Sequence, residues 1–210
     1  TLLILGIASV INPIKTHNNL IKWDIPVAIV AVVLLVLMLL DKKISFLEGA
    51  VLFGGIIIYI LVNIIKGGEE SSPAIDAEIR PVLPSIQKSL FFQLFLVGCG
   101  ISALVFGAQY FVKGAVQLAL LFHVSHAVIG VTIVAAGTSL PELATSAVAS
   151  LKNEGDISVG NVVGSNIFNI FSILGISAII HPIVIQNITM VDLGVLVLSA
   201  VLIFPFMSTG

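Results

Sequence analysis

Charge is scarce in this chain of 210 residues: Asp, Glu, Lys and Arg together make up 10% of it. A soluble domain carries about 25%, so a water-solvated globular fold is excluded. No basic run occurs and the formal net charge is −2, which leaves nucleic acid without a binding surface. The single cysteine, Cys99, rules out an intrachain disulfide and reads as a small packing residue in an apolar stretch. With no clustered Cys/His set, zinc and copper sites are unsupported. The N-terminus has neither the basic start nor the small-residue cleavage site of a signal peptide.

What remains is apolar: 58% of the residues are hydrophobic. A membrane helix needs about 20 such residues to cross roughly 30 Å of hydrocarbon. Runs of that kind lie at about 25–40, 46–65, 90–113, 126–151, 157–180 and 188–207. Residues 1–14 are too short to span and read as the end of a helix whose start lies upstream. The expectation is an all-α, multi-pass membrane protein of about six full transmembrane helices plus one partial helix. The only long polar stretch, 66–88, reads as a solvated linker between 1–65 and 89–210. Counting crossings puts Lys15, Lys22, Lys66, Arg80, Lys88 and Lys152 on one side and Lys42, Lys43 and Lys113 on the other. The basic excess marks the first side, linker included, as cytoplasmic. The expected location is a prokaryotic plasma (inner) membrane.

A repeat organises the chain. Ile4-Leu-Gly-Ile-Ala-Ser-Val-Ile-Asn-Pro-Ile14 aligns with Ile173-Leu-Gly-Ile-Ser-Ala-Ile-Ile-His-Pro-Ile183, with Gly6/Gly175 and Pro13/Pro182 in register. After a one-residue gap Asp24 falls opposite Asp192. Five spans separate the copies, and an odd number makes them inverted in the membrane, the trace of an inverted-repeat transporter.

Chemistry concentrates in Gly137-Thr-Ser-Leu-Pro-Glu-Leu-Ala-Thr-Ser146. An ionised glutamate at mid-bilayer costs roughly 2.5–3.5 kcal/mol even on the mild insertion scale, so Glu142 calls for a bound cation or proton. On a continuous helix Ala135, Ser139, Glu142 and Ser146 share one face, with Thr138 beside it. Pro141 frees the Gly137 carbonyl, and Gly137 itself eases a break there. Carbonyls, hydroxyls and a carboxylate are hard oxygen ligands suited to Ca²⁺ and Na⁺. The competing reading is a proline-kinked helix whose hydroxyls bond their own backbone. In the next span Asn161, Ser165 and Asn169 are spaced i, i+4, i+8 as an amide–hydroxyl stripe with Asn166 nearby, while Gly160 and Gly164 allow close helix approach. His17, His123, His126 and His181 all fall near span ends and read as structural.

Gly137-Thr-Ser-Leu-Pro-Glu142 followed by Gly160-Asn-Val-Val-Gly-Ser-Asn-Ile-Phe-Asn169 resembles the second alpha repeat of the sodium/calcium exchanger family, within the cation/calcium antiporter superfamily. Residues 1–14 resemble the end of the first. The resemblance implies an inverted-repeat antiporter fold of ten helices in two five-helix halves. On that template the chain runs from the end of helix 3 through helix 9: 1–65 ends the first half, and 89–210 supplies helices 6–9 with the alpha repeat at about 126–180. Helices 1–3 and 10 would come from the same polypeptide or another chain. By position, the resemblance makes Glu142 the acidic ion ligand. Thr138 and Ser139 become hydroxyl and carbonyl ligands, Ala135 a carbonyl ligand to sodium, and Ser165 and Asn169 ligands on the second helix. Asn169 stands where several family exchangers have Asp, which removes one potential negative charge. The implied activity is exchange of calcium for sodium by alternating access, with those ions and the bilayer as partners and no cofactor. In the family two long tilted helices slide across a fixed core, and 90–113 with Gly98, Gly100 and Gly107 would be one of them. The alternatives are a cation/proton antiporter, a non-transporting assembly module or inactive fragment, and, more remotely, an intramembrane hydrolase using Ser139.

Overall fold

A computed structural model describes residues 1–13, 20–69, 90–185 and 188–208. Of the expected 66–88 linker, residues 66–69 continue the helix that ends at Glu69, and the rest, like His17, lies outside the described residues. In order, the helices are α1 (Leu2–Ile11), α2 (Ile25–Met38), α3 (Phe46–Glu69), α4 (Leu90–Leu121), α5 (His126–Ile129), α6 (Ala135–Thr138), α7 (Leu140–Leu151), α8 (Gly155–Phe168), α9 (Gly175–Ile180) and α10 (Met190–Ser208). Single π-helical turns at Leu20–Asp24, Gly130–Val134 and Asn169–Leu174 lead into α2, α6 and α9. Such widened turns cluster at functional sites.

Among the described residues, five helical stretches are long and apolar enough to cross a membrane: Lys22–Asp41, Phe46–Lys66, Leu90–Leu121, Gly155–Ile180 and Met190–Met207. Two sequence-based expectations change. The 126–151 run is not one continuous helix, because it is interrupted at Ser139. The 90–113 run extends to Leu121, so Lys113 lies within a helix rather than at its end. Its ammonium bends over the Tyr110 ring, 5.7 Å from the centroid, which keeps the charge off the apolar surface and lets the helix continue. At 32 residues α4 is about 48 Å long, well beyond the hydrocarbon thickness.

The described chain forms two compact units, Thr1–Glu69 with Thr145–Gly210, and Glu70–Ala144. In the first, capping boxes start two of the long helices. Ser45 N–H donates to Glu48 Oε2 at 2.7 Å and Glu48 N–H reaches Ser45 Oγ at 3.4 Å, opening α3. Thr189 and Asp192 repeat the exchange at 2.8 and 3.3 Å, opening α10. Asp24, aligned with Asp192 by the repeat, makes no such cap. It accepts from the Tyr59 hydroxyl at 2.8 Å, tying the start of α2 to α3.

In this unit α2 and α10, the helices that follow the two repeat copies, lie against each other. A two-residue antiparallel ribbon pairs Lys43 with Val184 and Ile44 with Ile183, joining the α2–α3 and α9–α10 connections. At the opposite end Asn12 donates to the Ser150 carbonyl at 3.2 Å and to Asn153 Oδ1 at 2.8 Å. There too the Lys66 ammonium sits 3.5 Å from the centroid of Trp23.

Small residues bring α3 and α9 together. A Cβ added at Gly175 would stand 2.8 Å from Phe53 N and 3.1 Å from the Gly49 carbonyl oxygen, so the two backbones touch directly. Ile25, Ile44, Leu52, Val159, Val162, Val163 and Ile167 fill the interior of this unit. Many outward side chains, Val10 and Phe168 among them, are exposed apolar groups, as lipid-facing positions are.

Candidate functional site

The Gly130–Val134 π turn, α6 and the start of α7 form one interrupted run. Ser139 is the interruption: its backbone leaves the helix at φ −93°, ψ 1°, and its N–H bonds the Ala136 carbonyl at 3.1 Å. The next helix starts at once, with Leu143 N–H on the Ser139 carbonyl at 3.0 Å. The break therefore sits at Ser139 and not at Gly137. Pro141 occupies the first turn of α7, where a missing N–H costs nothing and a fixed φ helps initiation. Because the helix is interrupted, the expected single face through Ala135, Ser139, Glu142 and Ser146 is not continuous.

The interruption gathers complementary chemistry in the Glu70–Ala144 unit. Helix carbonyls at the end of α6 carry the negative end of its dipole, which favours a cation. Glu142, half-buried, lies in the first turn of α7, where a carboxylate is favoured by the positive end of that helix. The Thr138 hydroxyl donates to the Ala135 carbonyl at 3.0 Å. That is the self-bonding of the kinked-helix reading, and it still leaves the hydroxyl oxygen's lone pairs available to a cation. Ala135, Thr138, Ser139 and Glu142 thus lie within two helical turns around one break. Among the described residues no group of three or more His, Cys, Asp or Glu side chains could hold a metal, so the ligand set here rests on neutral oxygens around one carboxylate.

In the other unit Ser165 and Asn169 take different surroundings. The Ser165 hydroxyl, on α8, donates to the Val162 carbonyl at 3.0 Å. Asn169 opens the Asn169–Leu174 π turn and borders a cavity of about 180 Å³ together with Thr1, Asn166 and Ser199. Thr1 and Asn166 bond each other reciprocally at 3.0 and 2.7 Å. Asn161 turns elsewhere: its amide donates to Ser146 Oγ at 3.1 Å, and Ser146 Oγ donates to the Ser158 carbonyl at 3.2 Å. Ser146 and Ser158 are fully buried. Asn161, Ser165 and Asn169 keep the expected helical spacing, Asn169 N–H bonding the Ser165 carbonyl at the end of α8, while the Asn161 amide is taken up in a packing network between α7 and α8. Ser199 was not anticipated from sequence; a lone serine in an apolar run gives no signal. Of the described histidines, His123 takes a left-handed turn at φ 58° after α4, His126 starts α5 and His181 ends α9.

Comparison with known proteins agrees with this architecture. The family described as sodium/calcium exchanger protein matches residues 1–65 and 92–209. The putative antiporter CaxA of Alkalimonas amylolytica is 38% identical over 191 residues, covering 88% of this chain and 58% of its own length. The sodium/calcium exchanger MaX1 of Methanosarcina acetivorans is 39% identical over 118 residues, 56% of this chain and 34% of that protein. A solved structure of the sodium-calcium exchanger NCX_Mj, soaked with zero Na⁺ and Ca²⁺, matches with TM-score 0.76 and 33% identity over 99% of this chain and 64% of that one. The chain thus spans less than two thirds of each of these relatives. An all-α, multi-pass membrane fold and a family match over most of the sequence lead to one assignment: the chain belongs to the sodium/calcium exchanger family.

Proposed function

We propose that this chain carries part of the ion site of a secondary antiporter that exchanges calcium for sodium across a membrane by alternating access. The observation that carries the reading is the interruption at Ser139, which sets the carbonyl end of α6 beside Glu142 at the start of α7. Glu142 supplies the charge, Thr138 and Ser139 supply hydroxyl and carbonyl oxygens, and Ala135 supplies a carbonyl to sodium. The family resemblance adds Ser165 and Asn169 as further ligands, Asn169 a neutral one. The relatives named as exchangers support the choice of ions, and their greater length supports a site completed by further helices.

Calcium and sodium compete in this reading because both take hard oxygens, and several Na⁺ balance the charge that one Ca²⁺ balances. An empty site leaves carboxylate charge in a dry barrier, so it returns slowly and exchange is favoured over leak. The test is Glu142→Gln in the full chain reconstituted in liposomes, with calcium uptake driven first by a sodium gradient and then by a pH gradient. Removing one partner of a buried charge pair costs about 3–5 kcal/mol, or ~10²–10⁴-fold in calcium affinity. Unchanged sodium-driven uptake in the variant would refute the reading; uptake driven by protons alone would replace sodium as the coupling ion.

A further inference from the structure

Gly137 is buried next to Thr138 and Ser139, and its glycine identity has a spatial cause. It lies inside α6 with no positive φ, so its backbone accepts any L-residue, and alanine would be the better helix former. A Cβ added there would instead fall inside the Cγ2 methyl of Val112, with Val112 Cβ at 3.3 Å and Cγ1 at 3.6 Å. Val112 is on α4, in the same unit. As a β-branched residue in a helix it has one strongly preferred rotamer, so this methyl cannot swing aside cheaply.

Elsewhere α4 also meets the Gly130–Val134 turn and α5. Val112, Ala115, Val116 and Ala119, at i, i+3, i+4 and i+7, are its less exposed face, and Ala119 is its one buried residue. Gly98, Gly100, Gly107 and Gly114 meet nothing within 4 Å. The contact between α4 and the ion-binding turn therefore centres on a methyl group seated in a notch that glycine leaves open.

The geometry points to Val112 as a positioning residue: in this conformation it seats over Gly137, sets where α4 rests on the Ala135–Ser139 turn and so holds the Thr138 and Ser139 oxygens in place. The inference rests on the ion-site reading above. It makes the combined bulk at positions 112 and 137, rather than either identity, the controlled quantity.

The test is a size swap in the full chain, reading calcium KM and maximal rate of sodium-driven uptake per unit of monodisperse protein. Gly137→Ala is expected to raise KM at least ~10-fold or to keep the protein from accumulating in the membrane. Val112→Ala with Gly137→Ala restores the lost volume, and is expected to recover accumulation and bring KM within ~3-fold of wild type. Val112→Ile, whose Cγ1 takes the seat of the Cγ2 methyl and carries an extra methyl at the notch, is expected to raise KM in the same direction as Gly137→Ala. A Gly137→Ala protein with wild-type KM overturns the inference, as does a double variant no better than Gly137→Ala alone. Failure of the ion-site reading is distinguishable. Exchange that survives Glu142→Gln removes that reading, whereas exchange lost in Glu142→Gln with no rescue by the size swap removes only the role of Val112.

Discussion

The contact between α3 and α9 gives the sharpest stability prediction. Gly175→Ala puts a methyl 2.8 Å from Phe53 N, 3.1 Å from the Gly49 carbonyl oxygen and 3.2 Å from Phe53 Cα. All three are backbone atoms of a neighbouring helix, so no side chain can rotate away and the helices must separate. Overpacking costs typically 1–3 kcal/mol, and the upper end applies where backbone has to move. Alanine regains up to about 1 kcal/mol of helix propensity over glycine, which leaves a net loss of about 2 kcal/mol. At about 2–4 °C per kcal/mol for a chain of this size, apparent Tm falls by ~4–8 °C. Gly54, on the same α3, meets nothing within 4 Å, so Gly54→Ala isolates propensity and should leave Tm unchanged or slightly raised. The assay is thermal unfolding of detergent-solubilised protein at one fixed scan rate, because membrane proteins commonly unfold irreversibly. A Gly175→Ala protein as stable as Gly54→Ala would refute the claim that backbone contact between these helices sets their spacing.

Two further perturbations follow from single hydrogen bonds. Ser146→Ala removes a fully buried hydroxyl that donates to the Ser158 carbonyl and accepts from Asn161; a loss of about 1–3 kcal/mol is expected by thermal melting, and a wild-type melt would mean that water substitutes. Tyr59→Phe removes the 2.8 Å bond to Asp24. A double-mutant cycle with Asp24→Asn should give a coupling of about 1.5–3 kcal/mol, and a coupling near zero would show that the pair is incidental.

The apolar spans were legible because length and composition alone decide what can cross a bilayer, and Glu142 was legible because a carboxylate in such a span has few explanations. The break was misplaced for a physical reason. Pro141 was read as a defect inside a helix, so the carbonyl four residues back, on Gly137, became the site of the break. With the turn at Ser139, Pro141 instead falls in an initiating turn, where it causes no defect. The distinction depends on which helix owns the proline, and local sequence is silent on that. The capping boxes at Ser45 and Thr189 follow a readable Ser/Thr-x-x-Glu/Asp spacing. The π turn that begins at Asn169 has no such signature. The fit of Val112 to Gly137 joins residues far apart in sequence, and a glycine in a helical motif is as easily assigned to flexibility as to space.

The small ribbon between residues 43–44 and 183–184 limits how its unit can move. Ile44 is fully enclosed there, and a slip of one residue in strand pairing turns every side chain to the opposite face. The α2–α3 hairpin cannot creep along the α9–α10 turn without swinging that isoleucine into water. Shear between the α2–α3 and α9–α10 connections therefore requires breaking this pairing and exposing Ile44.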